Sequence, residues 1–221
     1  MQPNHTIRGL LAGTALMALA GTVQAETTIR LSTYVNETDV RYQGFTHFAE
    51  LVAEKTNGSV KIEIFASSTL HGWSEGVDAV QGGVSDISWI NADNRLPCYV
   101  VTSLYPATVD LSKQTELDAA YANLIRAEAE VQGLVPLINS NYSYDQEWWF
   151  ADKDVDLAKL DGKLVRSIGP LVSMMIETWG GEPVFVAPKE VFQSAERGVV
   201  DGINMGVATY SSWKLWSVMP H

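Results

Sequence analysis

Apolar and polar residues alternate along residues 28–34 and 60–65, a pattern typical of strands with one buried face. Between these strands, residues 42–55 carry apolar side chains at helical spacing, and a Gly at position 58 helps to end that helix. A short helix over 74–82 and a strand over 87–90 follow. This alternation of strands and helices predicts a mostly parallel sheet covered by helices on both faces.

The second half of the chain repeats this order after a long helix predicted over residues 110–133 and a short strand over 134–138. Residues 139–145 are polar and rich in turn-forming side chains, and we interpret them as a crossing region between two lobes. The repeated strand, helix, strand, helix and strand are predicted over residues 163–167, 170–179, 183–186, 188–197 and from 199 onward.

One helix-to-strand junction occurs in both halves. Residues 80–87 and residues 195–202 each end a helix with Gly and continue with Val-x-Asp and an apolar residue or Gly that opens a strand. Gly suits the position after a helix because that residue often adopts a left-handed backbone conformation. The repetition predicts two similar α/β lobes, and a cleft between lobes is a common place for a small ligand.

The N-terminus determines the expected compartment. A short polar stretch with Arg8 precedes an apolar run over residues 9–23, and small side chains occupy positions 23 and 25. This pattern predicts a signal peptide over residues 1–25, because the apolar run is too short for a membrane span. We therefore expect an exported protein. Its first lobe and the crossing region are predicted over residues 26–145, and its second lobe over 146–221. The single Cys98 excludes an internal disulfide.

Charge and motif content narrow the function. The net charge of −11 makes nucleic acid an unexpected partner, and an anionic ligand would need a local cation to overcome the overall field. The sequence has neither the His and Cys spacing of a metal site nor a Gly-rich phosphate loop, so we predict no cofactor.

Arg166 is the strongest candidate for such a cation. It lies in the predicted strand 163–167, close to the end where ligands bind in open α/β sheets. Its guanidinium can bind a carboxylate through two parallel hydrogen bonds, although a surface ion pair is an equally good interpretation. Tyr34 and Trp148 can line an apolar slot, whereas Trp89 and Trp149 are more typical of a core.

A different class of function rests on residues 72–76, which match the G-x-S-x-G motif of serine hydrolases. Such an enzyme needs a histidine after Ser74, and the only one is His221, the last residue. The motif also lies several residues after the preceding strand. We therefore favour a simpler interpretation in which Ser74 caps a helix, and keep an exported serine hydrolase as the alternative.

The ordered set of these segments resembles the DctP-type substrate-binding subunits of tripartite ATP-independent periplasmic (TRAP) transporters. The matching segments, beside the signal peptide, are Phe48-Ala49-Glu50-Leu51-Val52, Gly58-Ser59-Val60-Lys61-Ile62, Ala79-Val80-Gln81 with Gly83-Val84 and Asp86, Leu160-Asp161-Gly162-Lys163-Leu164-Val165-Arg166, Trp179-Gly180-Gly181 with Pro183-Val184, Glu190-Val191-Phe192, and Gly198-Val199-Val200-Asp201-Gly202.

The resemblance implies a two-lobe fold like that of type II periplasmic binding proteins, and transport rather than catalysis. It implies a small organic acid as ligand, Arg166 as the group that holds its carboxylate, and membrane transporter subunits as partners. It also places further ligand contacts, at Tyr34, Asn91, Gln146, Asn204 and Met205. Gln146 replaces a possible second Arg and Met205 a frequent Asn, which favours a monocarboxylate with an apolar or aromatic body.

Members of this family continue well past the position of His221. The resemblance therefore also predicts that the second lobe lacks its C-terminal part, and a non-functional remnant is a third possibility.

Overall fold

The computed structural model describes residues 26–90, 93–99, 111–137 and 146–221. The first sheet is parallel and has the order β2-β1-β3. Its strands are β1 (Thr27–Ser32), β2 (Val60–Phe65) and β3 (Ile87–Ser88), and the helices beside them are α1 (Val40–Lys55) and α2 (Gly76–Gln81). We refer to this sheet with α1 and α2 as the first lobe. The predicted bounds of β2 are confirmed, and those of β1 and α1 differ by one or two residues.

The second sheet has the order β4-β7-β5-β6, with β4 antiparallel to β7 and the other pairs parallel. Its strands are β4 (Gln146–Phe150), β5 (Leu164–Ser167), β6 (Glu182–Phe185) and β7 (Gly202–Gly206). Further helices are α3 (Gln114–Val131), α4 (Pro170–Thr178), α5 (Val191–Glu196) and α6 (Val207–Ser212), and short 3-10 turns lie at Leu111–Lys113, Pro188–Glu190 and Leu215–Ser217. The second sheet with α4, α5 and α6 forms the second lobe.

The sheet of the second lobe separates two apolar clusters. One cluster contains Ile203, Met205 and Tyr210, with Trp149 and Val184 packed against it. The other contains residues such as Phe150, Val165 and Ile176, with Trp148 and Trp179 packed against it. Register partners in a sheet point to the same face, so the pairing of Trp149 with Ile203 and of Trp148 with Asn204 places the two tryptophans on opposite faces.

Both predicted junctions are present, and both use the same contacts. Gly83 and Gly198 adopt φ values of 69° and 67°. Asp86 and Asp201 then each accept a hydrogen bond of 2.8 Å on the carboxylate, from the backbone N–H of Arg30 and Leu164 respectively. The backbone N–H of each Asp donates in turn to the carbonyl of the same strand residue, so each carboxylate anchors the strand that follows it to its parallel neighbour.

Some predicted elements are wrong. Residues 134–137 form no strand, because Leu134 instead turns back so that its N–H donates to the carbonyl of Ala129 and its side chain is buried beside α3. Strand β4 was not anticipated, since two adjacent tryptophans hide its alternation. The predicted crossing region over 139–145 and the signal peptide lie outside the described residues. In the part of the chain that is described, no helix is both long and apolar enough to cross a membrane.

Candidate functional site

Arg166 occupies the third position of β5, near its carboxyl end, and is only 2% exposed. Its Nε donates to the carbonyl of Val186 and its Nη1 to the carbonyl of Asn204, each at 3.0 Å. None of the described carboxylates forms an ion pair with it. Arg166 is therefore a buried cation whose protein partners are neutral carbonyl groups.

Burial lowers the pKa of Arg166 to about 9, and the phenol of Tyr34 acts in the opposite direction. The side chain is thus still protonated at neutral pH. Because a buried charge without a counter-ion is costly, an anion that reaches the guanidinium would be bound favourably.

Tyr34 follows β1 and faces the second lobe. Its hydroxyl accepts a hydrogen bond of 2.6 Å from Nη1 of Arg41, and the Arg41 guanidinium carbon lies 5.2 Å from the centre of its ring. The ring meets Trp73 and Trp89 edge-on, at centroid distances of 4.8 and 5.1 Å. These contacts hold the tyrosine in one orientation, with its hydroxyl oriented by a cation.

Arg41 joins the two lobes. Asp39 caps α1 and binds Nε and Nη2 of Arg41 through its two carboxylate oxygens, at 2.8 and 2.6 Å. Burial raises the pKa of Asp39, but its hydrogen bonds with Arg41 outweigh this and hold the pKa below its usual value. Nη2 of Arg41 also donates to the hydroxyl of Thr209 in α6, at 2.6 Å. A longer contact of 3.4 Å runs from Nε1 of Trp73 to the carbonyl of Ile168.

A cavity of about 410 Å³ opens between the lobes, within the usual volume range of small-molecule sites. The first lobe contributes Tyr34, Asn36 and Ser67 to its wall, and the second contributes Pro188, Lys189, Phe192, Ser212, Trp213 and Lys214. Arg166 does not line it. The cavity and Arg166 are nevertheless adjacent. Tyr34 lines the cavity and raises the pKa of Arg166 through an electrostatic interaction. Pro188, which also lines the cavity, lies two residues after Val186, whose carbonyl Arg166 binds.

The structure brings some of the predicted ligand contacts together and separates others. Met205 belongs to the apolar cluster on the face where Val184, the register partner of Arg166, also packs. Trp148 lies on the opposite face, edge-on to Trp179 at 5.1 Å. Asn204 meets Arg166 through its backbone carbonyl, while its side-chain amide donates to the carbonyl of Glu147.

For Gln146 the structure gives the strand position, and for Asn91 it gives none. Gln146 begins β4 opposite Gly206, and Asn91 lies outside the described residues. The ligand contacts of all these residues stay predictions.

Sequence reasoning missed Arg41, Lys189, Lys214 and Trp213. Arg41 meets its partner Thr209 across 168 positions of sequence, and no local pattern signals such a contact. The two lysines look like ordinary surface residues in the sequence. The signal that could have drawn attention to Lys214 is its place after a helix, where Gly is the favoured residue.

The serine hydrolase alternative receives no support from the geometry. Ser74 is exposed and accepts or donates no hydrogen bond among the described residues. His71, the histidine closest to Ser74 in sequence, forms a hydrogen bond of 2.8 Å through Nε2 with the hydroxyl of Ser88. The prediction that Ser74 caps a helix is wrong as well, because α2 begins after Glu75, whose carboxylate folds back to accept from the N–H of Gly72.

Comparison with known proteins agrees with this architecture. The sequence model of the bacterial extracellular solute-binding proteins, family 7 (DctP), matches residues 31–101. A TRAP periplasmic solute-binding protein from a Sulfitobacter species, solved with bound β-D-galacturonate, superposes with a TM-score of 0.75 at 24% identity, covering 87% of this chain and 66% of that one. This chain has the fold of the TRAP periplasmic solute-binding proteins.

Other similar proteins extend the comparison. A Bordetella pertussis extracytoplasmic solute receptor, solved with pyroglutamic acid, gives a TM-score of 0.76 at 23% identity, over 87% of this chain and 65% of its own. A solute-binding protein of Roseobacter denitrificans is 24% identical over 208 residues, which are 89% of this chain and 62% of that protein. The chain thus spans somewhat less than two thirds of the length of these relatives.

Proposed function

We propose that this protein is a periplasmic solute-binding protein that captures a small organic acid between its lobes and delivers it to the membrane subunits of a TRAP transporter. The observation that supports this most directly is Arg166, a buried and protonated guanidinium without a carboxylate partner among the described residues. The acids bound by the similar proteins, galacturonate and pyroglutamic acid, each carry a carboxylate.

The guanidinium is arranged to bind and not merely to pack. It has five N–H groups, and its hydrogen bonds to Val186 and Asn204 use two of them. Those two bonds fix the plane of the fork, so the remaining N–H groups are oriented before a ligand arrives. A carboxylate then forms charge-assisted hydrogen bonds without a large loss of side-chain entropy.

Contacts from both lobes would couple binding to closure. Tyr34 and Arg41 belong to the first lobe, and Arg166 and Thr209 to the second. A ligand that contacts both lobes stabilises their closed arrangement, and this population shift is what a membrane partner would recognise. In this proposal residues 26–145 and 146–221 form the lobes, and residues 1–25 direct export to the periplasm.

The experiment measures binding of succinate, D-galacturonate and pyroglutamate to the purified protein by calorimetry. Replacing Arg166 with Ala should weaken binding of the preferred acid at least about tenfold, because a hydrogen bond to a charged group contributes about 1.5–3 kcal/mol. Arg197→Ala is the matched control, since Arg197 is an exposed arginine of the same lobe. Unchanged affinity in a cooperatively folded Arg166→Ala variant would contradict the proposal.

The pH dependence gives a second measure. Arg166 binds a carboxylate only while it is protonated, and its pKa is about 9 without ligand. Affinity should therefore be level around neutral pH and should fall as the pH rises above that value. A bound anion stabilises the protonated form, so the complex should lose its proton at higher pH than the free protein. An affinity that is constant up to about pH 11 would argue against Arg166 as the anchor.

A further inference from the structure

Two lysines contribute positive charge to the interlobe cavity. Lys189 and Lys214 both line it, both are exposed, and neither forms an ion pair with a described residue. The residues lining the cavity include no acidic side chain. In a chain of net charge −11, two lysines without acidic partners at one cavity make a local positive field that would attract an anionic group.

Lys214 holds its position in a conformation that its residue type disfavours. It follows α6 with φ of 57°, in the left-handed region where Gly is the cheapest residue. Ser67, on the opposite wall of the cavity, has φ of 55°. Side chains at such positions cost stability, and residues of this kind cluster at ligand sites. Here both of them line the same cavity.

Polar residues of the wall can bond to oxygen atoms of a ligand. Ser67 and Ser212 line the cavity, and each carries a hydroxyl group. On the first lobe, Asn36 uses its carbonyl oxygen to accept from Thr38 and leaves its amide N–H groups without a partner among the described residues. The cavity thus combines two cations with amide and hydroxyl groups that can bond to oxygen atoms.

Its apolar surface is compatible with a carbohydrate skeleton. The side chains of Phe192 and Trp213 contribute aromatic surface to the wall. Aromatic surface packs well against the C–H faces of a polyhydroxylated chain, while the polar groups around it bond to the hydroxyls. A purely hydrocarbon ligand would leave these polar groups without partners.

We propose that the ligand is a polyhydroxylated diacid, a sugar-derived chain with a carboxylate at each end, and that Lys189 and Lys214 bind the carboxylate distal to Arg166. This inference rests on the proposed function, because it assigns the first carboxylate to Arg166. Tyr34 lines the cavity and interacts electrostatically with Arg166, so the cavity and the guanidinium are neighbours. The sequence alone favoured a monocarboxylate, but that expectation did not consider Lys189 and Lys214.

Three acids of equal chain length separate the contributions. D-Glucarate has two carboxylates and hydroxyls, D-gluconate lacks the second carboxylate, and adipate lacks the hydroxyls. The expected order of affinity by calorimetry is glucarate first, with gluconate and adipate each at least about tenfold weaker, since each loses several hydrogen bonds or a charged contact. Gluconate or adipate binding as tightly as glucarate overturns the inference.

Substitutions at the lysines provide the decisive test. The double variant Lys189→Met, Lys214→Met should lose about tenfold or more in affinity for glucarate and should change gluconate affinity less than twofold. The control for this change in net charge is Lys153→Met with Lys159→Met, which removes two exposed lysines elsewhere on the second lobe. Equal losses in the control and the double variant would show a long-range effect only and would overturn the inference.

The variant Lys214→Gly tests whether misfolding, and not the loss of the lysine, explains a loss of glucarate affinity. Gly accepts the left-handed conformation freely, so this variant should unfold at the same denaturant concentration as the wild type or at a higher one. Its glucarate affinity should nevertheless fall about threefold or more. If acids bind in an Arg166-dependent way but the lysine variants behave as wild type, this inference fails and the proposed function stands. If no acid binds, or Arg166→Ala binds normally, both fail.

Discussion

The two helix-to-strand junctions share one backbone arrangement but lead into different sheets. In each, a left-handed Gly is followed by an Asp that bonds to the backbone of the neighbouring parallel strand. After Asp86 the strand continues for two residues, whereas after Asp201 it continues for five, all of them buried. The shared motif therefore determines where a strand begins, and the surroundings determine how far it extends.

The residues at equivalent positions show what those surroundings require. Ile87 follows Asp86, but Gly202 follows Asp201 because the ring of Phe150 in β4 packs directly against it. Ser85 precedes the first Asp, and its hydroxyl is buried without a partner among the described residues. Val200 at the equivalent place is part of an apolar cluster. At the second junction, Gly202 therefore leaves room for a side chain of the antiparallel strand β4, and Val200 adds to the apolar core.

The largest expected difference comes from Gly202. A Cβ at this position would lie 2.6 Å from Cδ1 of Phe150, so Gly202→Ala should lower the free energy of unfolding by about 1–3 kcal/mol, the usual cost of overpacking a core. Gly44→Ala is the control, because Gly44 lies inside α1 with nothing within 4 Å and Ala favours a helix. Urea unfolding should show opposite signs for the two variants; equal signs would contradict the comparison.

The next effect compares the two carboxylates. Asp201→Ala leaves the N–H of Leu164 without its acceptor and should cost about 1–2 kcal/mol. Asp86→Ala should cost less, because the Arg30–Asp86 pair is about 40% exposed and water can replace it.

Asn substitutions retain one acceptor oxygen and serve as the controls. Asp201→Asn should recover part of the stability in the same urea measurement. If Asp201→Asn is as unstable as Asp201→Ala, the hydrogen bond to Leu164 is not what the carboxylate contributes.

A smaller effect, of opposite sign, is expected at Ser85. In the part of the chain that the structure describes, its hydroxyl is buried without a partner, so Ser85→Ala should raise the free energy of unfolding by about 1 kcal/mol. Val200→Thr is the reciprocal change, since it adds a hydroxyl at the equivalent position with little change of shape, and it should destabilise. Thermal unfolding of both variants tests the pair, and destabilisation by Ser85→Ala would contradict it.

The smallest effect is the pH dependence at the first junction. Hydrogen bonds from the Arg30 side chain and backbone lower the pKa of Asp86 below its usual value. A lowered carboxylate pKa contributes stability above about pH 4, which is lost as the pH falls through the pKa of the folded state. Between about pH 5 and 3, Asp86→Asn should therefore lose less stability than the wild type. An equal loss would show that other carboxylates dominate acid unfolding.

Local pattern predicts the parallel part of this fold well. Strand β2 matches its predicted bounds, and Arg166 lies near the carboxyl end of β5 as expected, because alternation and helix-ending glycines are encoded within a few residues. Strand β4 was missed, since its strand character depends on pairing with β7 more than 50 positions later. Without the pairing to β7, the sequence does not tell which face of the sheet Trp148 occupies and which Trp149 occupies.

The candidate site was harder to predict than the fold. Arg166 could be singled out because one strand end carries it. The cavity depends on Tyr34 from one lobe and on Trp213 and the lysines from the other, and nothing local relates such distant residues. The contact of Arg41 with Thr209 is of the same kind.

The aromatic contacts around Tyr34 provide a spectroscopic signal for the boundary between the lobes. Trp73 and Trp89 of the first lobe and Trp213 beyond the second sheet surround this one tyrosine, the last at a centroid distance of 6.5 Å. Rings this close exchange excitation energy and couple their electronic transitions. Any change in the separation of the lobes should therefore alter the tryptophan emission and the near-ultraviolet circular dichroism, so that ligand capture can be followed in the unlabelled protein.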